Sequence, residues 1–110
     1  MNAYDNDEYR LKLLTKTIQE YEGNTISLRN LVDGISSILG SLDSIDKKAM
    51  LFMMDHWETL EQVYAFARHR EESEDPSRQS DDPLLTIEEQ RMIDDAIENI
   101  SNIANTDSKT

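Results

Sequence analysis

Apolar residues recur at three- and four-residue intervals in four stretches of the chain, the spacing that lines one face of an α-helix. Leu11, Leu14, Ile18 and Tyr21 form the first stripe, with Lys12, Lys16, Gln19 and Glu20 on the other side. They predict a helix from about Asn6 to Glu22. Asp5, Asp7 and Glu8 suit the positive end of its dipole, and Gly23-Asn24 supplies a left-handed stop. A second helix is predicted over about 27–42, capped by Thr25 or Ser27. Its wide stripe of Leu28, Leu31, Val32, Ile35, Ile38, Leu39 and Leu42 is that of a core helix, and its glycines, Gly34 and Gly40, suggest close approach of a neighbour. The third and longest runs over about 44–72 behind a cap at Asp43 or Ser44, with a break conceivable near Asp55-His56. Ala49, Phe52, Met53, Trp57, Leu60, Val63, Tyr64 and Ala67 line it, and Arg68, His69 and Arg70 place positive charge near its end.

The periodicity then stops. Glu71 to Pro83 reads EESEDPSRQSDDP, acidic, with both prolines of the chain and no large apolar residue, so a mobile acidic loop is expected over about 73–85. Thr86-Ile-Glu-Glu89 is a capping box, in which each end side chain bonds the other's backbone amide. Ile93, Ala96, Ile97, Ile100, Ile103 and Ala104 continue it as a helix over about 86–104, leaving 105–110 as a disordered tail. No strand pattern competes. Short connections between the first three helices make them antiparallel neighbours, and the long acidic loop lets the fourth cross back. The expected fold is a single-domain, all-α, antiparallel four-helix bundle.

Composition narrows the function. At 110 residues there is room for one domain. Eleven basic against 23 acidic residues leave a formal charge of −12, which repels nucleic acid and anionic membranes and favours encounter with a basic partner. Solubility alone is the plainer explanation of such acidity. The absence of Cys removes disulfides, thiolate metal sites and cysteine nucleophiles. No apolar run approaches the ~20 residues a membrane span needs, and the acidic N-terminus is unlike a signal peptide, so a cytoplasmic protein is expected.

Candidate chemistry is sparse. His56 lies beside Asp55 and near Glu58, but residues one and two apart on a helix point away from each other. Neither His56 nor His69 follows a glutamate by three positions, as the ligands of a di-iron bundle require. Asp5-Asn6-Asp7 opens like a calcium loop, yet Arg10 and Lys16 stand where its Gly and Glu belong. Phosphate loops, nucleophile elbows and zinc spacings do not occur. No catalytic residue, cofactor or metal site is therefore expected, and Asp94-Asp95 and Glu88-Glu89 read as solvated helix surface. Phe52 and Tyr64 read as packing residues. Trp57, among Asp55, Glu58 and Glu61, reads either as packing or as an aromatic anchor ringed by acceptors for a basic partner.

The stretch ISLRNLVDGISSILGSL followed by MDHWETLEQVYAFA and a last acidic helix resembles small bacterial all-helical immunity proteins of contact-dependent growth inhibition and related toxin systems. The most specific part is Trp57-Glu58-x-Leu60-Glu61-x-Val63-Tyr64-Ala65, and the likeness covers about Ile18 to Ala104. It implies an immunity protein that binds and neutralises a cognate basic toxin domain, a nuclease above all, without itself touching nucleic acid or membrane. A helical adaptor or secretion-chaperone-like protein is the alternative. The partner-binding candidates are Asp55, Trp57, Glu58 and Glu61 on the third helix, joined by Glu71, Glu72, Glu74 and Asp75 of the acidic stretch that follows. Asp94, Asp95 and Glu98 on the fourth helix are the next candidates, since the solvated-face reading applies to either set.

Overall fold

The computed structural model describes residues 3–77 and 80–108; the side chains of 3–6, 107 and 108 lie outside that description. It contains four helices, α1 (Ala3–Glu22), α2 (Leu28–Ser41), α3 (Lys47–Glu74) and α4 (Ile87–Ser108), and no strand among the described residues. Each helix packs on two others: α1 on α2 and α4, and α3 on α2 and α4. The result is a ring of four antiparallel helices, 49 × 23 × 23 Å. The expected four-helix bundle is thus the observed fold.

The core follows the stripes. Leu14, Leu28, Leu31, Ile35, Met53, Leu60, Ile93 and Ile100 are the largest fully buried side chains, and all four helices contribute. On α3 the deepest positions are Met53, Leu60 and Ala67, one per two turns. Phe52 is displaced about 100° around the axis from Met53, and half of its surface is exposed (51%). The expectation that Phe52 packs inside is therefore overturned, whereas Tyr64 does pack against the core, half-buried.

Local chemistry decides the helix ends. Asn24, at φ 62°, is the left-handed residue that ends α1; Gly23 is not. The Thr25 N–H reaches the Glu20 carbonyl (2.8 Å) and the Asn24 N–H that of Tyr21 (3.0 Å), a Schellman pair. At α2 it is Ser27 that caps, its hydroxyl accepting the Asn30 N–H at 3.1 Å. Gly34 faces α1, where an added Cβ would lie 3.3 Å from Thr17 Cγ2; Gly40 has open space instead. The α3 cap is Asp46 rather than Asp43 or Ser44, because Asp7 holds those two residues. The buried Asp7 carboxylate accepts the Asp43 N–H at 2.9 Å and the Ser44 N–H, while Arg10 donates to the Ser41 carbonyl at 2.6 Å. One acid of α1 thereby fixes the α2–α3 corner.

Helix α3 runs unbroken past Asp55-His56. The segment expected as a mobile loop is largely anchored. Helix α3 takes up its first residues, to Glu74, Asp81 and Asp82 bond the start of α2, and Leu84 bonds the end of α3. The Asp82 carboxylate accepts the Leu28 N–H at 2.7 Å, and the Asp81 carbonyl accepts the Arg29 N–H at 3.0 Å. Ser27 serves the next two amides through its hydroxyl and its carbonyl. The open amides of the first three helical residues, Leu28, Arg29 and Asn30, are all satisfied, two of them by this connection. Within the connection only 78–79 lie outside the described residues. Similarly, α4 continues through Ser108 where a disordered tail was expected from Asn105, and Lys109 and Thr110 lie outside the described residues. No helix among the described residues is long and apolar enough to cross a membrane.

Candidate functional site on helix α3

Helix α3 packs on α2 and α4 and turns its remaining side to solvent. Asp55, Glu58 and Glu61 stand there, exposed, within about 9 Å of helix rise. Among the described residues none of the three enters an ion pair. Apolar side chains flank them: Leu51, Phe52 and Met54 toward the start of the helix and Phe66 (71% exposed) toward its end. Phe52 and Phe66 are four turns apart, about 21 Å. Beside Phe52 a cavity of about 330 Å³ opens between α3 and α4, with Ala49 and Ile103 in its lining. The arrangement is an acidic centre between two apolar ends. Arg and Lys of a partner can pair with the carboxylates, while Phe52 and Phe66 offer aromatic surface of the kind that anchors interfaces.

Trp57 does not belong to this surface. Its ring is half-buried against the core, and its indole N–H donates to the Val32 carbonyl at 2.9 Å. A buried indole must satisfy that N–H, and here it fastens α3 to α2. The anchor reading of Trp57 is thereby corrected. The exposed aromatics of α3 are Phe52, which the sequence reading placed in the core, and Phe66, which it did not single out. Their signal was present: at 100° per residue both lie off the line through Met53, Leu60 and Ala67.

The candidates at the end of α3 do not join the first three. Glu71 is buried (6% exposed) and accepts the Leu84 N–H at 3.1 Å, so it points into the fold instead of offering itself to a partner. Glu72 pairs with Arg68 at 2.8 Å along the helix. Asp75 caps α3, and its carboxylate binds the amide (3.1 Å) and hydroxyl (2.7 Å) of Ser77. Glu74 is exposed, but lies about 28 Å along the axis from Asp55. Only Asp55, Glu58 and Glu61 form a patch.

Beside that end stands a bidentate ion pair. Arg70 forks onto Glu89, Nη2–Oε1 at 2.7 Å and Nη1–Oε2 at 3.0 Å, and Nη2 also donates to the Leu84 carbonyl at 3.0 Å. Glu89 meanwhile completes the capping box, accepting the Thr86 N–H at 2.9 Å and donating its own N–H to Thr86 Oγ1 at 3.1 Å. The Arg70 guanidinium, aided by the Thr86 amide, lowers the Glu89 carboxyl to about 2 against its desolvation. The pair is a structural clasp between α3 and α4.

His56 is half-buried, and among the described residues no three His, Cys, Asp or Glu side chains gather as metal ligands. Comparison with known protein families, characterised proteins and solved structures finds no match to this chain.

Proposed function

We propose that this protein is an immunity protein, a stoichiometric inhibitor that binds the basic toxin domain of a growth-inhibition system, foremost a nuclease, through the outward face of α3. The observation that carries the reading is the contrast between internal and outward acids. Of the chain's eleven cations, Arg10, Lys12, Arg29, Arg68 and Arg70 are already held in ion pairs with its own carboxylates. An incoming partner therefore meets Asp55, Glu58 and Glu61 uncompensated, on a rigid helix, between exposed apolar side chains. A nuclease cleft must be basic to hold phosphates, so the two surfaces attract and steer each other. The sequence likeness around Trp57 to Ala65 supports the same class.

Co-expression with a basic toxin domain, sought first in the adjacent reading frame, tests the proposal. Cell growth is expected to recover, with a one-to-one complex whose association rate falls as salt rises. Unrelieved toxicity with no complex would refute it. The exposed Leu51, Phe52 and Phe66 also suit an adaptor or secretion chaperone, for which salt would leave the association rate unchanged.

A further inference from the structure

A second surface lies on the far side of α4, where it packs on α1. Three shallow cavities of about 300, 400 and 290 Å³ follow one another there. The first and second share Glu22 and Asp94, and the second and third share Tyr21, Asn24 and Gln90, so they form one continuous furrow. It follows α4 from Gln90 to Asn102, about 18 Å. Ile18 and Ile97 supply apolar lining at one end, and Leu84 and Leu85 at the other.

The charge along it has one sign. Glu22, Asp82, Asp94 and Glu98 line the furrow, and no Lys, Arg or His does. None of these four carboxylates enters an ion pair among the described residues. The half-buried Tyr21 hydroxyl responds to that field: burial first, then Asp82 and Asp94, raise it above the ordinary phenol value, against the Gln90 hydrogen bond. The carboxylates are strung out rather than gathered, and no metal-binding group of three forms among the described residues. Asp82 is engaged by the Leu28 N–H, which leaves Glu22, Asp94 and Glu98 as a row of separate acceptors that fits a row of separate cations. Asp94 and Glu98, one turn apart, rise about 6 Å, while alternate side chains of an extended strand repeat every ~6.6 Å. The furrow's length equals about five or six extended residues.

We infer that the α1–α4 furrow binds an extended segment of a protein partner carrying Lys or Arg at alternate positions. This surface is separate from the α3 face and does not depend on the immunity reading. A second copy of this chain offers no such segment from its described residues, because the described cations outside ion pairs, Lys16, Lys47, Lys48 and Arg91, all stand on helices and not in extended chain.

A fluorescent six-residue peptide of alternating Arg and Thr, titrated by anisotropy at low salt, tests this. It is expected to bind more tightly than a peptide of the same composition with its three Arg in one block. Combining Glu22→Gln, Asp94→Asn and Glu98→Gln should weaken the alternating peptide about tenfold. Combining Asp55→Asn, Glu58→Gln and Glu61→Gln removes the same charge from α3 and should change it less than about twofold. Equal losses from the two triple variants, or no preference between the peptides, would overturn the inference by reducing it to a diffuse field. Amide shift mapping on the unaltered protein covers the case of a misfolded variant. Perturbations should centre on Tyr21, Asn24, Asp94 and Glu98, and their absence there would be equally decisive. Loss of toxin protection by the α3 variant alone bears only on the proposed function.

Discussion

The acids of this protein do two opposite jobs, and the α3 face and the 71–86 connection show them side by side. In the connection, carboxylates are consumed by the fold: Glu71 holds the Leu84 amide and Asp82 the first amide of α2, while Glu89 just beyond it holds both Arg70 and the Thr86 amide. On α3, Asp55, Glu58 and Glu61 have no ion-pair partner among the described residues and face water. The composition of the two regions is similar. What separates them is whether unsatisfied backbone donors lie within reach. A helix N-terminus or a tight corner presents such donors, and the middle of a helix presents none. Acids that reach an open amide are therefore drawn inward, whereas Asp55, Glu58 and Glu61, which reach none, are left for a partner.

The sharpest test of that division removes an inward acid. Asp7→Ala strands the Asp43 and Ser44 amides at a partly buried corner. Each unsatisfied amide costs about 1–3 kcal/mol, so a loss of roughly 2–6 kcal/mol is expected in urea unfolding. A change below about 0.5 kcal/mol would mean that water replaces the carboxylate and that the corner needs no clamp.

The clasp gives a pH test with a definite sign. Glu89 titrates at about 2 in the folded protein against 4.5 for the ordinary group. Its lowered value stabilises the fold above the unfolded pKa, and that contribution is lost as pH falls from about 4.5 through about 2. Urea midpoints should decline across this window more steeply for wild type than for Glu89→Gln. Parallel curves would show that the Arg70 fork does not persist in solution. Trp57→Phe has a smaller effect: it keeps the ring and deletes the bond to Val32, at a cost of about 1 kcal/mol. Partner affinity should be unchanged, since the indole is turned toward α2.

Much of this architecture was legible along the chain, because helix periodicity and capping are local. The four stripes, the Thr86–Glu89 box and the Ser27 option could be read directly, and the structure contains them. The two jobs of the acids could not be separated in the same way. Asp7 is fixed by its partner Asp43, 36 positions on, and Asp82 by Leu28, 54 positions back. No window on the sequence contains both members. Low apolar content and prolines suggested mobility for the connection, yet its order comes from distant amides. Trp57 failed as an anchor for a related reason: neighbours in sequence on a helix face different ways, so carboxylates at 55, 58 and 61 say little about the ring at 57. The third helix lists two aromatics as surface only when its azimuths are compared with its deepest residues, Met53 and Leu60.

The smallest expected change in stability belongs to the α3 acids, and it is the one that bears on function. Asp55→Lys, Glu58→Lys and Glu61→Lys replace exposed side chains that hold nothing, so each should shift unfolding by no more than about 0.5 kcal/mol. Their effect should fall on association. Reversing a charge turns attraction into repulsion at the encounter stage, so the association rate with a basic partner drops while an established complex dissociates only modestly faster. The triple reversal should slow association by at least about tenfold at low salt, and the difference should shrink as salt screens both surfaces. Phe66→Ala supplies the complementary measurement: with no charge altered, its loss should appear in dissociation and be insensitive to salt. If the reversals leave both rates untouched while Phe66→Ala accelerates dissociation, the face binds through its apolar ends and its acids serve solubility. If neither set matters, α3 is not the interface, and the outward acids of α4, Asp94, Asp95 and Glu98, are the next to reverse.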